Sequence, residues 1–182
     1  AHNHANVASA LAALFAAIGE KVLLQADSIA QVIRTFSSLP HRLEVVASNG
    51  ITWINDSQAT IPDASIAALK AFPAPRILIA GGRTKLEIDA YKNWAKEVAS
   101  RGEYLITIGE AQEMFGDLAR EAGMSSEKII AAGDLETAVE NAAKLATPGT
   151  TIIFSPACAS FDQFKSYEDR GNQFRTLATE NS

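Results

Sequence analysis

Short apolar segments alternate with amphipathic stretches along most of this chain. Short, purely apolar runs predict buried strands, whereas apolar positions spaced by three and four residues predict helices. The predicted strands cover residues 43–48, 51–54, 76–80, 104–108, 128–131 and 150–154, and the predicted helices cover 89–100, 113–122, 134–148 and 161–177. This alternation favours an α/β fold, with a doubly wound, mostly parallel sheet and right-handed crossovers. Asn49-Gly50, between the first two strands, favours a type I′ hairpin turn.

The opening segment has a different pattern. Asn3 or Asn6 caps a predicted helix that ends before Gly19, and a second amphipathic helix covers residues 29–36. The pattern changes near residues 37–40, which end in Leu39-Pro40. We therefore expect two parts, residues 1–38 and residues 39–182, the first of them a piece of a larger domain.

The composition of the chain limits which classes of function and which cellular compartment are expected. The net charge is −5, and lysines and arginines are scattered singly, so a nucleic-acid surface is not expected. The single cysteine, Cys158, cannot form an internal disulfide, which favours a reducing compartment. We find no signal peptide and no apolar run of the roughly 20 residues that span a bilayer. The expectation is a cytoplasmic protein without a membrane span.

Polar clusters follow three of the predicted strands, where α/β sheets bind ligands. Residues 55–60 (NDSQAT) offer a carboxylate, two hydroxyls and two amides. In this cluster Asp56 is suited to accept hydrogen bonds from ribose hydroxyls or to help hold a metal ion. A helix-capping turn before Pro62 explains the same residues without a ligand.

Two further clusters follow later strands. In residues 81–85 (GGRTK), glycines permit close approach of a ligand and Lys85 offers a charge for phosphate or carboxylate, although a solvated turn is an alternative. The spacing of a P-loop is absent. In residues 155–163, Ser160 and Gln163 fit a capping box at the start of the last helix, whose N-terminus also suits a carboxylate. Cys158 is interpreted as a small packed residue, since no histidine base accompanies it.

His41-Arg42 follows Leu39-Pro40 and is suited to bind phosphate or a nucleobase, or else belongs to the polar surface. His2 and His4 have no partners that suggest a metal site, and His4 is expected on the surface.

Taken in order, five segments of the chain resemble the Mur ligases. They are residues 2–6 (HNHAN), 39–44 (LPHRLE), 53–60 (WINDSQAT), 80–85 (AGGRTK) and 155–171 (SPACASFDQFKSYEDRG). The last block is the most diagnostic, because it is very similar to that of the members that add D-glutamate. The resemblance covers nearly the whole chain and implies a Rossmann-like C-terminal domain, preceded by a helical remnant of the central ATP-binding domain.

The resemblance also implies a reaction and a set of site residues. ATP phosphorylates the carboxylate of UDP-N-acetylmuramoyl-L-alanine, and the amine of glutamate attacks the acyl phosphate; Mg²⁺ assists, with ligands mostly outside this chain. By this resemblance the ATP-binding residues are Asn3, Asn6, His41, Arg42 and Asp56. The glutamate pocket is lined by Gln58, Thr60, Lys85, Ser160, Phe161 and Tyr167, with Arg170 supporting the pocket through an ion pair.

Three positions depart from the family pattern. Gln58 stands where lysine is usual, Tyr167 where phenylalanine is usual, and Thr84 where aspartate or glycine is commoner. The loss of a positive charge at Gln58 leaves a related ligase for L-glutamate or another amino acid as an alternative, and a non-catalytic α/β binding module is a second one. Since the P-loop of the family is not in this sequence, we expect a fragment that is inactive alone. The full enzyme is expected to be a monomer.

Overall fold

The computed structural model describes residues 2–36 and 39–182, with side chains from residue 6 onward in the first range. The chain divides into two compact units, Ala1–Ser38 and Leu39–Ser182. Each unit is built around its own elements.

The first unit is helical. Helix α1 covers His2–Ile18, a 3₁₀ segment covers Gly19–Gln25, and helix α2 covers Ala26–Thr35. By length and composition alone, the stretch Asn6–Thr35 is apolar enough to cross a membrane, with a mean hydropathy of 1.8 over its most apolar window. The sequence did not predict a stretch of this kind, because the prediction required an uninterrupted apolar run and this stretch contains a few polar residues. It is weak evidence of a span, since a helix that covers a protein core passes the same test.

The second unit is a six-stranded sheet with helices on both faces. Its elements in chain order are β1 Glu44–Ser48, β2 Thr52–Asn55, α3 Pro62–Ala71, β3 Arg76–Gly81, α4 Lys92–Arg101, β4 Tyr104–Ile108, α5 Gln112–Glu121, β5 Ile129–Gly133, α6 Leu135–Leu145, β6 Thr151–Phe154 and α7 Tyr167–Glu180. The strand order is β1-β2-β6-β3-β4-β5, and only the pairing of β1 with β2 is antiparallel. The predicted doubly wound, mostly parallel sheet is therefore confirmed.

Alternation of side chains along the strands builds two cores. In β3, Leu78 and Ala80 face the core under α3, α4 and α5, whereas Ile77 and Ile79 face the core under α6 and α7. Because residues 77–80 are covered on both faces, this segment of β3 is apolar throughout, which is why the strand was recognisable in the sequence.

Three local predictions were wrong. Gly50 has a φ of +82°, but Asn49 is not left-handed and Ser48 pairs with Thr52, so the hairpin loop has three residues instead of a type I′ turn. Helix α2 begins at Ala26, before the predicted start at residue 29. The last helix begins at Tyr167 and not at residue 161, because Ser166 caps it by accepting a hydrogen bond from Asp169 N.

Candidate functional site

Three loops meet at the carboxyl edge of the sheet. They are residues 56–61 after β2, 82–87 after β3 and 155–166 after β6, and β6 lies between β2 and β3. Arg83 and Ala159 exchange backbone hydrogen bonds of 3.0 and 2.9 Å, which join the second loop to the third. The three polar clusters of the sequence thus share one edge.

His41 lies at this edge and is 6% exposed, with a φ of +62°. Its backbone carbonyl accepts a hydrogen bond from Gln58 N at 3.0 Å. Its ring nitrogen Nδ1 lies 3.0 Å from Nδ2 of the fully buried Asn55. Burial lowers the pKa of His41, and the positive charge of Arg175 lowers it further, so the imidazole is neutral at physiological pH. Arg42, the next residue, is exposed.

Glu44 connects the start of the second unit to its last helix. Its carboxylate accepts hydrogen bonds from Arg175 Nε and Nη2 at 2.9 to 3.1 Å. It also accepts from His41 N at 2.9 Å and from Asn55 Nδ2 at 3.2 Å. A forked arginine–carboxylate pair of this kind fixes orientation as well as contributing energy. The His41 backbone is therefore held at both its N–H and its carbonyl group.

Asp56 is 4% exposed, and both of its carboxylate oxygens have partners. Oδ1 accepts from Leu43 N at 3.1 Å, and Oδ2 accepts from Ser155 Oγ at 2.7 Å. Burial raises its pKa to about 6, against the opposing effect of these hydrogen bonds. The carboxylate thus supports the turn that contains His41 and Leu43. Within the described residues there is no cluster of three metal-ligating side chains.

Arg170 is fully buried behind the site. Nε donates to Ser57 Oγ at 3.0 Å, while Nη2 donates to the carbonyls of Ser57 and Cys158 at 2.8 and 3.1 Å. Its Nη1 has no hydrogen-bond partner among the described residues. Burial lowers the pKa of the guanidinium to about 10. The expected ion pair is replaced by hydrogen bonds to uncharged groups, which tie the first loop to the third.

Only some of the residues predicted for the glutamate pocket contact one another. Lys85 Nζ donates to Thr60 Oγ1 at 3.4 Å, and Lys85 itself is exposed. Gln58 is exposed, and Tyr167 is half-buried, with its ring 6.3 Å from that of His41 in an edge-on arrangement. A hydrogen bond to Glu168 raises the pKa of the Tyr167 phenol. The loops after β2 and β3 thus bring a cation and a hydroxyl to one place.

Ser160 and Phe161 occupy the third loop with opposite exposure. Ser160 is 2% exposed, whereas Phe161 is 63% exposed. The predicted capping box of Ser160 and Gln163 does not form, since no helix begins there; instead the Ser160 carbonyl accepts from Gln163 N at 3.3 Å and Phe164 N at 2.9 Å. Ser160 is therefore held in a tight turn by its backbone.

Cys158 is fully buried and, because burial raises its pKa to about 12, it remains a thiol. This fits a packed small residue and not a nucleophile. Asn6, predicted to bind ATP, is exposed on α1 in the first unit, while the Asn3 side chain lies outside the described part of the chain.

Several residues at this edge were not singled out from the sequence. Asn55, Ser57 and Ser155 belonged to the recognised clusters without a role, and Glu44 and Gly171 belonged to the segments that resemble the Mur ligases, also without a role. Arg175 carried no local signal. Their partners lie as many as 131 residues away along the chain, so only the fold identifies them.

Comparison with known proteins gives three findings. The family described as "Mur ligase, glutamate ligase domain" matches residues 41–158. The UDP-N-acetylmuramoylalanine–D-glutamate ligase of Pelotomaculum thermopropionicum is 38% identical over 173 residues, which cover 94% of this chain and 37% of that protein. The protein of the same name from Pelodictyon phaeoclathratiforme is 42% identical over 175 residues, which cover 96% of this chain and 35% of that protein.

A solved structure has the same fold. The MurF ligase of Thermotoga maritima in complex with ADP superposes with a TM-score of 0.56 and 16% identity, over 82% of this chain and 33% of that one. The chain spans little more than a third of the length of the curated relatives described above. Since 175 of its 182 residues align with the second relative, most of the apolar stretch Asn6–Thr35 has a counterpart within that ligase.

Proposed function

The chain belongs to the Mur ligase family, and we propose that it is part of a ligase that adds D-glutamate to UDP-N-acetylmuramoyl-L-alanine in peptidoglycan synthesis. The two relatives described above carry this activity in their names. In the proposed reaction ATP converts the substrate carboxylate into an acyl phosphate and leaves as ADP. The glutamate amine then attacks the acyl carbon, so that an amide forms and phosphate departs. We place the enzyme in the cytoplasm, with small-molecule partners and no membrane span.

The proposed division of labour follows the two units. Residues 1–38 form the C-terminal end of the central ATP-binding domain, and residues 39–182 form the amino-acid-binding domain. In this arrangement the apolar side chains of the first unit are covered by the rest of the central domain. Phe15, Leu24 and Val32, which are 52%, 84% and 63% exposed, are such side chains.

The observation that carries the proposal is the hydrogen bond between Lys85 Nζ and Thr60 Oγ1, 3.4 Å long, at the edge where the third loop places Ser160. Glutamate has two carboxylates that each need a cation or strong N–H and O–H donors once they leave water. Lys85 supplies a charge and Thr60 a hydroxyl for one of them. Phe161 and Tyr167 offer an apolar wall for the aliphatic part of the amino acid.

The nucleotide is proposed to bind on the His41 side of the same edge. His41 and Arg42 provide ring and guanidinium donors, and Asn3 and Asn6 contribute from the first unit. Asp56 supports the turn by accepting a hydrogen bond from Leu43 N. Each of its carboxylate oxygens can still accept a second hydrogen bond, for example from a ribose hydroxyl. Bound ADP in the T. maritima structure supports nucleotide use by the family.

In this proposal, Mg²⁺ is bound mostly by residues outside this chain. The described residues contain no cluster that would hold a divalent ion. The residues of this chain therefore do not fit a complete Mg²⁺ site. Its proposed ligands belong to the parts of the relatives that this chain does not span.

Gln58 favours a second candidate, a related ligase with a different amino acid. The side chain is exposed and uncharged where the family usually has lysine, which lowers the positive charge beside the proposed pocket. A substrate screen of the complete protein with D-glutamate, L-glutamate and neutral amino acids separates the two candidates.

The test of the proposal is phosphate release by the complete protein. We expect release that requires both UDP-N-acetylmuramoyl-L-alanine and D-glutamate, and none from the 182-residue chain alone. Lys85→Ala should raise the KM for glutamate roughly tenfold to a hundredfold, since a hydrogen bond to a charged group contributes about 1.5–3 kcal/mol.

Lys96→Ala is the matched control, because Lys96 is an exposed lysine of α4. It should leave the KM for glutamate unchanged. Phosphate release that is independent of the amino acid, or equal KM values for both variants, would contradict the proposed pocket.

A further inference from the structure

The orientation of the buried Asn55 amide follows from its neighbours. Oδ1 accepts a hydrogen bond from Ser57 N at 3.3 Å. Nδ2 faces the carbonyl of Gly171 at 3.0 Å and Glu44 Oε2 at 3.2 Å, both of which can only accept. Exchanging the two ends of the amide would set oxygen against these acceptors and N–H₂ against a donor. The N–H₂ end is therefore the one that faces His41 Nδ1 at 3.0 Å.

This orientation determines the proton position on His41. If Nδ1 carried a proton, that N–H would point at the N–H₂ group of Asn55, and the nearest carboxylate oxygen, on Glu44, lies 3.9 Å away, too far for a hydrogen bond. With Nδ1 unprotonated, the ring accepts from Asn55 Nδ2, whose two N–H groups are shared among three acceptors: His41 Nδ1, the Gly171 carbonyl and Glu44 Oε2. In a neutral imidazole the proton then resides on Nε2.

The surrounding charges keep the ring neutral. Arg175 lowers the pKa of His41, as does burial, while Glu44 and Glu168 act in the opposite direction. The Glu44 carboxylate already accepts hydrogen bonds from Arg175, which weakens its attraction for a proton on the ring.

The close approach of α7 also fixes the ring in place. The ring has no space to turn toward α7, because a Cβ at Gly171 would lie 2.3 Å from His41 Nδ1.

We propose that Asn55 is a positioning residue that holds His41 as the neutral Nε2–H imidazole, so that His41 presents a hydrogen-bond donor to an acceptor atom of the nucleotide. This assignment rests on the proposed function for the identity of the ligand, but not for the state of the ring. A hydrogen-bond partner of one ring nitrogen that selects the tautomer of a histidine generally defines what the other nitrogen can bind.

The state of the ring is tested on the 182-residue chain with ¹⁵N-labelled histidine. There are three histidines, and His41→Gln identifies the signals of His41. At about pH 8, above the ordinary histidine pKa of about 6.5, we expect Nδ1 at the chemical shift of an unprotonated ring nitrogen and Nε2 at that of a protonated one. A protonated Nδ1 in the unmodified chain would overturn the proposal.

Two variants test the role of Asn55. Asn55→Asp replaces the donor with an acceptor of the same size, so the proton should move to Nδ1 and the pKa of His41 should rise. Asn55→Ala removes the donor without adding a charge, and both tautomers should then be populated. Asn93→Asp, an exposed position of α4, is the matched control and should leave the His41 signals unchanged. If Asn55→Ala retains the single tautomer of the unmodified chain, Asn55 does not position the ring.

The ligand is tested separately in the complete enzyme. Asn55→Ala should raise the KM for ATP roughly tenfold, the equivalent of one hydrogen bond, with little change in kcat at saturating ATP. If the ring nitrogens behave as expected but the KM for ATP is unchanged, the tautomer assignment stands, and the placement of His41 at the nucleotide is wrong.

Discussion

The carboxylate of Asp56 accepts a hydrogen bond from the hydroxyl of Ser155 at 2.7 Å, although 99 residues separate them. This contact joins the loop after β2 to the loop after β6. It also leaves a carboxyl group buried without a cation in contact, which raises its pKa from 3.8 to about 6. The site therefore contains a group whose charge state should affect stability.

The first prediction concerns this pH dependence. Since the pKa of Asp56 is higher in the folded protein, its stabilising contribution is complete below about pH 4 and is lost as the pH rises through about 6. The loss should be about 3 kcal/mol. The unfolding free energies of the unmodified chain and of Asp56→Asn are measured with denaturant from about pH 4 to pH 7.5. Relative to the variant, the unmodified chain should lose that amount of stability as the pH rises. Asp117→Asn, at an exposed position of α5, is the control and should show no such trend.

The second prediction concerns the charge beside the proposed pocket. Gln58→Lys in the complete enzyme should lower the KM for glutamate by a factor of about five at most, because an exposed ion pair contributes up to about 1 kcal/mol. Gln173→Lys, an exposed position of α7, makes the same change and should have no effect on KM. Loss of glutamate use in Gln58→Lys would show that Gln58 is required in its uncharged form.

The third prediction concerns the close approach of α7 to His41. A Cβ at Gly171 would lie 2.3 Å from His41 Nδ1, so Gly171→Ala should lower the unfolding free energy by about 2–4 kcal/mol, despite the better helix propensity of alanine. At Gly116, also in a helix, the nearest atom is the flexible end of Arg120 at 3.2 Å. Gly116→Ala should therefore be neutral or stabilising by up to about 1 kcal/mol. Thermal or denaturant unfolding of both variants compares them directly, and equal effects would contradict the packing described for Gly171.

The fourth prediction concerns Arg170. One ammonium group cannot reproduce the hydrogen bond from Nε to Ser57 Oγ together with the two bonds from Nη2 to the Ser57 and Cys158 carbonyls. Arg170→Lys should therefore lower the unfolding free energy by about 2–4 kcal/mol. Arg101→Lys, at a half-exposed ion pair with Glu97, should change it by less than about 1 kcal/mol. An Arg170→Lys variant as stable as the unmodified chain would mean that these hydrogen bonds do not hold the two loops together.

The sequence by itself determined the sheet and the edge of it at which the candidate site lies. Residues 77–80 of β3 are apolar at every position because both faces of a central strand are covered, and that pattern can be recognised without knowing the neighbouring strands. The polar clusters directly after such strands had to lie at one edge, since parallel strands end together. Lys85 was singled out in this way, whereas the role predicted for Thr60 came only from the resemblance to the Mur ligases.

Only the tertiary structure decided how the site is held together. The last helix begins where Ser166 accepts a hydrogen bond from Asp169 N. The sequence did not predict this start, because Ser160 is also a plausible cap. The partners of His41 are Asn55, Glu44 and Gly171, from two strands and the last helix. Arg170 offers five N–H donors, and nothing local indicates that carbonyls 12 and 113 residues away accept from it. Local patterns report burial and turn preference, whereas hydrogen bonds across the chain depend on where the folded backbone places each group.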